Sequence, residues 1–478
     1  MRHGTVTFSS PRVFNGVGLT LLSAHQALQL IRTPEPGSRE AIVVRFDKSR
    51  TLADQLEYLV PGGAHTYAKG PDQYPEAMAP MIVRGQGARV WDADGNEYIE
   101  YGSGLRSVSL GHAHPVVDQR VVEALRKGCN FARPSVLELE AAERILALVP
   151  GAEQIKFCKN GSDATTAAVR LARAVTGRDL VAVCSDHPFF SVDDWFIGST
   201  AMDAGIPRAV RELTIGFPYG DPAALAQLLQ EHAGQVAAVM LQPTTAAEPP
   251  PGYLEQVRTL CERAGSLLVF DEMITGFRWD KGGAQTRYGI TPDLSTFGKA
   301  MGNGFAISAL LGKREFMRVG GLDTAGERVF LLSTTHGAES VGLAAACAVA
   351  DVYDSEPVIE TLAARGARLA AGVREVADRW GIADHLQVQG HDANLVFVTR
   401  DPDGVPSQDY RTMFMQQLLL GGVLAPSFVV SAALTDADID RTVEVVDAAS
   451  QVYARALSEG VSGYLVGRPV KPTLRRYV

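Results

Sequence analysis

The chain has 478 residues, of which 46% are hydrophobic and 21% charged, so it carries enough apolar material for a large buried core. Its net charge of −9 gives no basic surface for nucleic acid, and no apolar run reaches the roughly 18–20 residues that cross a membrane. The five scattered cysteines form no CxxC pair, which favours reduced thiols in a cytoplasmic protein over a disulfide framework or a metal site.

Residues 1–45 differ in composition from the rest of the chain. They contain Arg2, Arg12, Arg32 and several serines, but no acidic residue before Glu35. Organelle transit peptides share this composition, and an over-extended start or a disordered arm is equally compatible with it. We interpret the segment as an extension outside the folded core and assign it no function.

Residues 46–110 are predicted to contain short strands joined by an Asp-Gly turn. The loop that follows, residues 101–115, is rich in glycine and small polar residues, and loops of this kind often carry ligand contacts. The C-terminal part, residues 356–478, shows long helical periodicity around a strand at 395–399. We expect this part to form a smaller α+β domain, joined by the segment 46–110.

Between these parts, residues 111–355 alternate predicted strands and helices, which is typical of a parallel sheet covered by helices. A helix is predicted over 163–176. The predicted strands are 155–158, 180–184, 236–241, 267–270, 294–297 and 307–311. The fold class is therefore α/β, with a large domain built on a mostly parallel central sheet.

The stretch 266–304 holds the residues best suited to catalysis. Asp271 directly follows one buried strand, and Lys299 follows the next short apolar segment. Because ligands bind beyond the carboxyl ends of parallel strands, both side chains are expected at one edge of the sheet. An acid and a lysine placed this way suit pyridoxal phosphate, which binds a lysine as a Schiff base and sets its pyridinium nitrogen on an aspartate. Taken alone, a surface salt bridge after a core strand is the simpler interpretation.

Three further motifs contain residues that could bind such a cofactor. Gly161 and Ser162 lie where a strand meets a helix, which suits a phosphate, although Ser162 could simply cap the helix. The hydroxyl-rich turn at Thr334 has the same two interpretations. Phe189 or Phe190 could stack on a flat ring or pack in the core. The chain has neither a Walker A motif nor a GxGxxG fingerprint, which disfavours a nucleotide cofactor.

These motifs follow one another in the order of a known family. The chain resembles the class III aminotransferases, closest to the branch of glutamate-1-semialdehyde 2,1-aminomutase, over roughly residues 55–450. The motifs that carry the resemblance include PGGAHTYAK, SLGHAHP, LLVFDEMITGFRW, YGITPDLSTFGKAMGNG and STTHGAES. The resemblance implies the aspartate aminotransferase-like fold type I, pyridoxal 5'-phosphate as cofactor, and a homodimer with active sites at the subunit interface.

The resemblance also implies a role for the residues around the cofactor ring. Lys299 would form the Schiff base and then act as the base that moves a proton. Asp271 would keep the pyridine nitrogen protonated. Met273 would press on one face of the ring and Phe189 on the other, where the family usually has a tyrosine.

The same resemblance implies which residues bind the cofactor phosphate and which contact the substrate. Gly161 and Ser162 would bind the phosphate, which Thr334 would reach from the neighbouring subunit. Arg106 and Lys69 are candidates for contacts with a substrate carboxylate. Lys69 stands where the aminomutase has an arginine. A lysine cannot form the planar, bidentate hydrogen bonds that an arginine forms with a carboxylate.

The predicted reaction is amino transfer between small molecules. The donor would be an amino acid, with glutamate expected, and the acceptor the carbonyl of a small polar, sugar-like compound. Val430 stands where the aminomutase has a glutamate, which weakens the aminomutase interpretation. Intramolecular transfer by a glutamate-1-semialdehyde 2,1-aminomutase stays the alternative, and an amino-acid racemase is third.

Overall fold

The computed structural model describes residues 44–186, 189–244, 246–324 and 326–476, and the structural statements below refer to these residues. The extension predicted over 1–45 lies outside them, apart from its last two residues. The described residues belong to one compact unit that begins at Val44. The boundaries that we predict at residues 110 and 355 within this unit stay predictions.

Helices and strands alternate along most of the chain. The helices are α1 (Asp47–Leu59), α2 (Ser103–Arg106), α3 (Pro115–Leu125), α4 (Val136–Leu148), α5 (Gly161–Thr176), α6 (Asp194–Ile197), α7 (Arg208–Arg211), α8 (Pro222–Glu231), α9 (Tyr253–Ala264), α10 (Ala284–Tyr288), α11 (Arg314–Met317), α12 (Ser340–Ser355), α13 (Val358–Arg379), α14 (Gln408–Leu420) and α15 (Asp436–Glu459). The strands are β1 (Ile82–Gln86), β2 (Arg89–Asp92), β3 (Glu97–Glu100), β4 (Gln154–Cys158), β5 (Leu180–Cys184), β6 (Thr214–Phe217), β7 (Val236–Leu241), β8 (Leu267–Asp271), β9 (Leu294–Phe297), β10 (Ser308–Gly312), β11 (Leu386–Gln389), β12 (Val396–Thr399) and β13 (Val423–Leu424).

The largest sheet has seven strands in the order β4-β10-β9-β8-β7-β5-β6. Strand β10 runs antiparallel to both of its neighbours, and the strands from β9 to β6 pair in parallel. Every residue of β7 and β8 is buried, and apart from Asp271 at the end of β8 their sequences are apolar instead of alternating. This sheet confirms the predicted α/β fold class.

Strands β8 and β9 place the candidate catalytic residues at one edge of this sheet. The two strands are parallel neighbours, and their register pairs Asp271 with Thr296. Asp271 is the last residue of β8, one residue beyond the predicted strand end. Lys299 follows β9 after Gly298, so both side chains lie at the carboxyl edge of the sheet.

Two smaller sheets lie outside the seven-stranded one. In the order β1-β2-β3-β13, the N-terminal strand β3 pairs in parallel with β13, which comes more than 300 residues later in the chain. Strands β11 and β12 form an antiparallel pair. The N-terminal segment is thus joined by hydrogen bonds to the C-terminal part of the chain. Within the described residues, no helix has the length and apolar character to span a membrane.

Candidate active site

Lys299 begins a short 3-10 turn one residue after β9, and its backbone is left-handed, with φ of +47°. Lysine rarely adopts this conformation, and strained backbone of this kind concentrates at functional sites. Burial lowers the pKa of the amine to about 8; the charge of Asp271 opposes this change, and the charges of Arg106 and Arg278 add to it. The amine is therefore partly neutral near physiological pH, and the neutral form is the nucleophile.

Asp271 is buried and held through one of its two oxygens. Its Oδ1 accepts hydrogen bonds from the backbone N of Met273 at 2.9 Å and from Oγ1 of Thr296 at 3.2 Å. Burial raises the pKa of this carboxyl, while the charge of Lys299 and the two hydrogen bonds oppose the rise. Among the described residues nothing donates to Oδ2, so this oxygen is available to a cationic N–H group.

Met273 is packed against two glycines that lie on different elements. A Cβ atom added at Gly161, the first residue of α5, would lie 2.9 Å from the Met273 sulfur. A Cβ added at Gly298 would lie 2.8 Å from the same sulfur. Both distances are shorter than an ordinary van der Waals contact. A side chain at either position would therefore displace the Met273 side chain. Gly161 is one of the two residues predicted to bind the phosphate, and Gly298 directly precedes Lys299.

The N-terminus of α5 is capped by residues other than Ser162. Asn160 is the N-cap residue, and its backbone N donates to Oδ2 of Asp163 at 3.0 Å as part of a capping box. Ser162 is buried, and its Oγ accepts a hydrogen bond from the backbone N of Val192 at 3.0 Å. The interpretation of Ser162 as a plain N-cap is therefore wrong. Its hydroxyl hydrogen is still able to donate, and phosphate binding by Gly161 and Ser162 stays a prediction.

The two candidate aromatic residues have different environments. Phe190 is buried in the core, where its ring meets Phe196 edge-on at 5.5 Å. Phe189 meets the same ring at 5.8 Å but is 49% exposed. Phe189 thus keeps an open surface that Phe190 lacks. Its stacking on a cofactor ring stays a prediction.

The turn that contains Thr334 leads to Glu339, the N-cap residue of α12. The carboxylate of Glu339 caps α12 by accepting hydrogen bonds from the backbone N of Val341 at 2.8 Å and of Gly342 at 2.9 Å. It also forms an ion pair with Lys159, which lies two residues before Gly161. Thr334 is exposed and does not cap the helix. A contact of Thr334 with the cofactor of a neighbouring subunit stays a prediction.

The two candidate substrate residues differ in how the structure places them. Arg106 lies in the glycine-rich loop, its Nε donates to Oδ1 of Asn394 at 2.7 Å, and its charge acts on Lys299. Burial lowers the pKa of the Arg106 guanidinium. Lys69 is exposed, and its side chain forms no hydrogen bond or ion pair within the described ranges. The structure thus brings Arg106 to the site, whereas a role for Lys69 stays a prediction.

Arg278 is a residue of this site that sequence reasoning did not assign. It is fully buried, and burial lowers the pKa of its guanidinium to about 10. Its Nη1 donates to the carbonyls of Ala393 at 3.3 Å and Val430 at 3.1 Å, and its Nη2 donates to the carbonyl of Arg106 at 3.1 Å. No described carboxylate forms an ion pair with it. The TGFR motif contains this arginine, but backbone carbonyls carry no sequence signal that would reveal its partners.

A comparison with protein families decides the classification. The model of the class III aminotransferases matches residues 72–400. The chain belongs to this family. Members depend on pyridoxal phosphate and have fold type I, so the chain is a pyridoxal-phosphate-dependent enzyme of that fold. The family, fold type and cofactor inferred from the sequence motifs are confirmed.

Individual relatives include both mutases and transaminases. The chain is 36% identical over 386 residues to glutamate-1-semialdehyde 2,1-aminomutase of Desulfitobacterium hafniense (strain DSM 10664 / DCB-2), covering 76% of this chain and 89% of that protein. It is 32% identical over 417 residues to 3-aminobutyryl-CoA aminotransferase of Cloacimonas acidaminovorans (strain Evry), covering 84% and 96%. An omega-transaminase structure from Sphaerobacter thermophilus matches with a TM-score of 0.75 and 28% identity, covering 88% of this chain and 99% of that one.

The residues present fit the cofactor. Lys299 supplies an amine with a lowered pKa, Asp271 supplies an oxygen without a described partner, and Met273 packs against Gly161 and Gly298. Lys299 and Asp271 act on each other electrostatically, yet among the described residues they form no direct ion pair. Each is therefore available for a group bound between them. The described residues contain no cluster of three or more His, Cys, Asp or Glu side chains suited to a metal ion.

Proposed function

We propose that this enzyme moves an amino group from an amino-acid donor, with glutamate expected, to the carbonyl of a second small molecule. The observation that carries the proposal is the grouping of three side chains at the carboxyl edge of the sheet. These are the amine of Lys299, the buried carboxylate of Asp271 and the guanidinium of Arg106. A base, an anchor for the cofactor ring and a cation for a substrate carboxylate are the groups that amino transfer from an amino acid requires.

Each residue has a separate task in this proposal. Bound pyridoxal phosphate supplies an electron sink that makes the C–H bond beside the substrate nitrogen acidic. Lys299 Nζ accepts that proton and gives it back, and a pKa of about 8 lets it do both near neutral pH. Asp271 would keep the pyridine nitrogen protonated, and its Oδ2 is the oxygen without a described donor. Met273 forms one side of the site for the cofactor ring. The absence of side chains at Gly161 and Gly298 leaves room for it there.

Intramolecular transfer, as in an aminomutase, is the second candidate. It is favoured by relatives named glutamate-1-semialdehyde 2,1-aminomutase at 36% and 34% identity. Two positions speak for transfer between molecules instead. Lys69 replaces the arginine expected in an aminomutase, and Val430 replaces its glutamate. Val430 is fully buried and contributes its carbonyl oxygen to Arg278, so it provides no acid at the site.

A single half-reaction separates the two candidates. Holoenzyme mixed with L-glutamate in the absence of an acceptor should release one 2-oxoglutarate per active site. A mutase returns the amine to the molecule from which it was taken, so it releases no oxo acid. Conversion of an amino compound into its isomer without net release of an oxo acid would therefore refute the proposal. A panel of oxo acids, simple aldehydes and oxo sugars, offered after this half-reaction, then tests the predicted sugar-like acceptor.

The Lys299→Ala variant tests whether this lysine acts as proposed. The variant should bind the cofactor without a covalent bond, lose the yellow Schiff-base absorbance, and turn over at least about 10²-fold more slowly. Retention of full activity would remove Lys299 from its role. A Lys313→Ala variant is a matched control, because that lysine pairs with Asp293 on another part of the sheet.

A further inference from the structure

Glu272 directly follows Asp271 and is a second buried carboxyl at the end of β8. Its Oε2 accepts a hydrogen bond from the backbone N of Ala284 at 2.8 Å, and its Oε1 accepts one from the backbone N of Gln285 at 2.7 Å. The hydroxyl of Thr275 also donates to Oε2. Among the described residues, no cation forms an ion pair with this carboxyl. Its partners are therefore neutral donors, and each of its oxygens accepts from a backbone N–H group.

These hydrogen bonds close a loop at its base. The loop covers residues 273–283, between Glu272 and α10, whose first two residues supply the backbone donors. Most residues of the loop are buried. Compact loops whose ends lie close together are often functional. The carboxyl of Glu272 joins the residue before the loop to the residues after it.

Gly283, the last residue of the loop, leaves room for this carboxyl. Its φ is +83°, in the left-handed region that favours glycine. A Cβ atom added at Gly283 would overlap Oε2 of Glu272. A side chain at this position would therefore push the carboxyl away from its donors.

The loop carries two buried side chains that face the cofactor site. Met273 is its first residue and packs against Gly161 and Gly298. Arg278 is fully buried and donates hydrogen bonds to backbone carbonyls of three other segments of the chain. The path of the loop therefore determines where both side chains lie.

A buried carboxyl without a cation partner is costly. Burial raises the pKa of Glu272 to about 7, and the charge of Asp271 adds to the rise, whereas the hydrogen bonds from Thr275 and the two backbone N–H groups oppose it. An apolar residue of similar size would avoid this cost but could accept none of the three hydrogen bonds. The contacts therefore favour a role of Glu272 in holding the loop over a role in packing alone.

We propose that Glu272 is a positioning residue of the cofactor site: it closes the loop 273–283 at its base and thereby fixes Met273 beside the cofactor ring. This inference rests on the proposed function, which places the ring beside Met273. It adds the group that sets the position of this side chain. Glu272 acts through Met273 and needs no contact of its own with the cofactor.

Trypsin measures the opening of the loop directly. The loop contains Arg278, which is fully buried, and Lys281, which pairs with Asp354. Cleavage after either residue requires the loop to open. Glu272→Gln keeps the size of the side chain, but its NH₂ group must face one of the two backbone N–H donors. We expect cleavage within the loop to be about tenfold faster than in the native protein, both with and without cofactor.

The bound cofactor provides a second measurement that needs no turnover. The Schiff base gives a visible circular dichroism band only when the ring is held in an asymmetric site. Glu272→Gln should weaken this band relative to the absorbance that measures cofactor content. Met273→Ala removes the side chain itself, so it shows how much of the band depends on this side of the ring.

Two further variants separate the loop from general stability. Gly283→Ala displaces the same carboxyl from the other end of the loop and should reproduce both effects of Glu272→Gln. The double variant should be no worse than the stronger single one, because both changes act on one contact. Asp293→Asn is the matched control, since it alters a buried carboxyl at the amino end of β9 that pairs with Arg258 and Lys313. It should lower the thermal midpoint and leave loop cleavage and the dichroism band at native values.

Several outcomes would overturn the inference. These are native cleavage rates in Glu272→Gln, faster cleavage with an unchanged band, and equal changes in Glu272→Gln and Asp293→Asn. If Glu272→Gln does not fold, Thr275→Val removes one donor only, and native values in that variant would overturn the inference equally. Cleavage and dichroism are measured without substrate. Failure of the native holoenzyme to release 2-oxoglutarate would therefore refute the proposed amino transfer without changing either result.

Discussion

Four charged side chains determine the protonation of the site, and they do not balance. Lys299 is surrounded by two cations, Arg106 and Arg278, and by one anion, Asp271. Burial lowers the pKa of Lys299, the two arginines lower it further, and Asp271 alone opposes them. The excess of positive charge has two consequences: it keeps part of the lysine neutral, and it attracts an anionic substrate.

The protonation of Lys299 leads to a prediction for cofactor uptake. Only the neutral amine attacks the aldehyde, so the rate at which apoprotein forms the yellow Schiff base should rise with pH around a midpoint near 8. Arg106→Leu removes a charge that lowers the pKa of Lys299, so it should move this midpoint to higher pH. Stopped-flow absorbance over a pH series measures both. A midpoint that stays in place would show that Arg106 does not act on Lys299.

The role of Asp271 is best tested by Asp271→Asn. An amide oxygen can still accept the hydrogen bonds from Met273 N and Thr296 Oγ1, so the fold and the thermal midpoint should be kept. The variant lacks the negative charge that we propose keeps the pyridine nitrogen protonated. We expect kcat to fall about 10²–10³-fold, the loss typical of removing one electrostatic contact at a reacting group. Nearly normal kcat would exclude this role for Asp271.

At the scale of secondary-structure elements, apolar composition explains which strands the sequence could predict. Strands β7 and β8 are buried along their whole length, and their apolar runs locate them. Strand β6 was missed, since its four residues at the edge of the sheet include a threonine and an exposed glycine and therefore form no continuous apolar run. The antiparallel direction of β10 depends on its pairing with β4 and β9, and residues within one strand do not encode such a pairing.

Glu339 links two elements that matter for the cofactor, α12 and the turn before α5. Its pKa is lowered to about 2, because its hydrogen bonds with Cys129, Lys159 and the start of α12 outweigh the effect of burial. A carboxyl with a lowered pKa stabilises the fold above its ordinary pKa, and this stability is lost as pH falls toward the lowered value. Its contribution should therefore disappear between about pH 4.5 and about pH 2.

Glu339→Gln tests this link. The variant loses the ion pair with Lys159 and one strong cap of α12, so its free energy of unfolding at neutral pH should fall by about 1–2 kcal/mol. The difference from the native protein should shrink as pH falls below about 4.5, because the carboxyl then binds a proton in the unfolded chain while it stays ionised in the folded one. Urea unfolding at neutral pH and at about pH 3 measures both values. A difference that is independent of pH would contradict the assignment.

Considered as a whole molecule, the site combines segments that are far apart in the sequence. Lys299 and Asp271 could be predicted, since both follow strands whose ends the apolar pattern reveals. Arg106 could be named as a candidate from its loop, but its contact with Asn394 and the role of Arg278 could not, because Arg278 joins these positions through backbone carbonyls. Only the folded chain brings these positions together. The sequence therefore indicated the chemistry of the cofactor, whereas the contacts of Arg278 with the Arg106 and Asn394 segments required the structure.

The surface beside the Thr334 turn suits a second copy of the chain. Thr334 is exposed, and Asn130 donates a hydrogen bond to the carbonyl of the next residue at 3.1 Å. Close by in the sequence, Phe131, Val136 and Leu139 are 51%, 89% and 63% exposed. Large apolar side chains exposed in this number mark interaction surfaces. We therefore expect a dimer whose interface includes this surface, with Thr334 reaching the cofactor phosphate of the partner.

Mixing two inactive variants tests whether Thr334 acts across subunits. Lys299→Ala lacks the catalytic amine, and Thr334→Glu places a negative charge where the phosphate is expected. If Thr334 serves the partner's site, a mixed dimer has one site with both defects and one intact site. Random re-association makes about half of the dimers mixed, so activity should recover to about one quarter of the native value. If Thr334 serves its own subunit, every site keeps one defect and no activity returns. Chromatography with light scattering confirms that the mixed sample contains dimers.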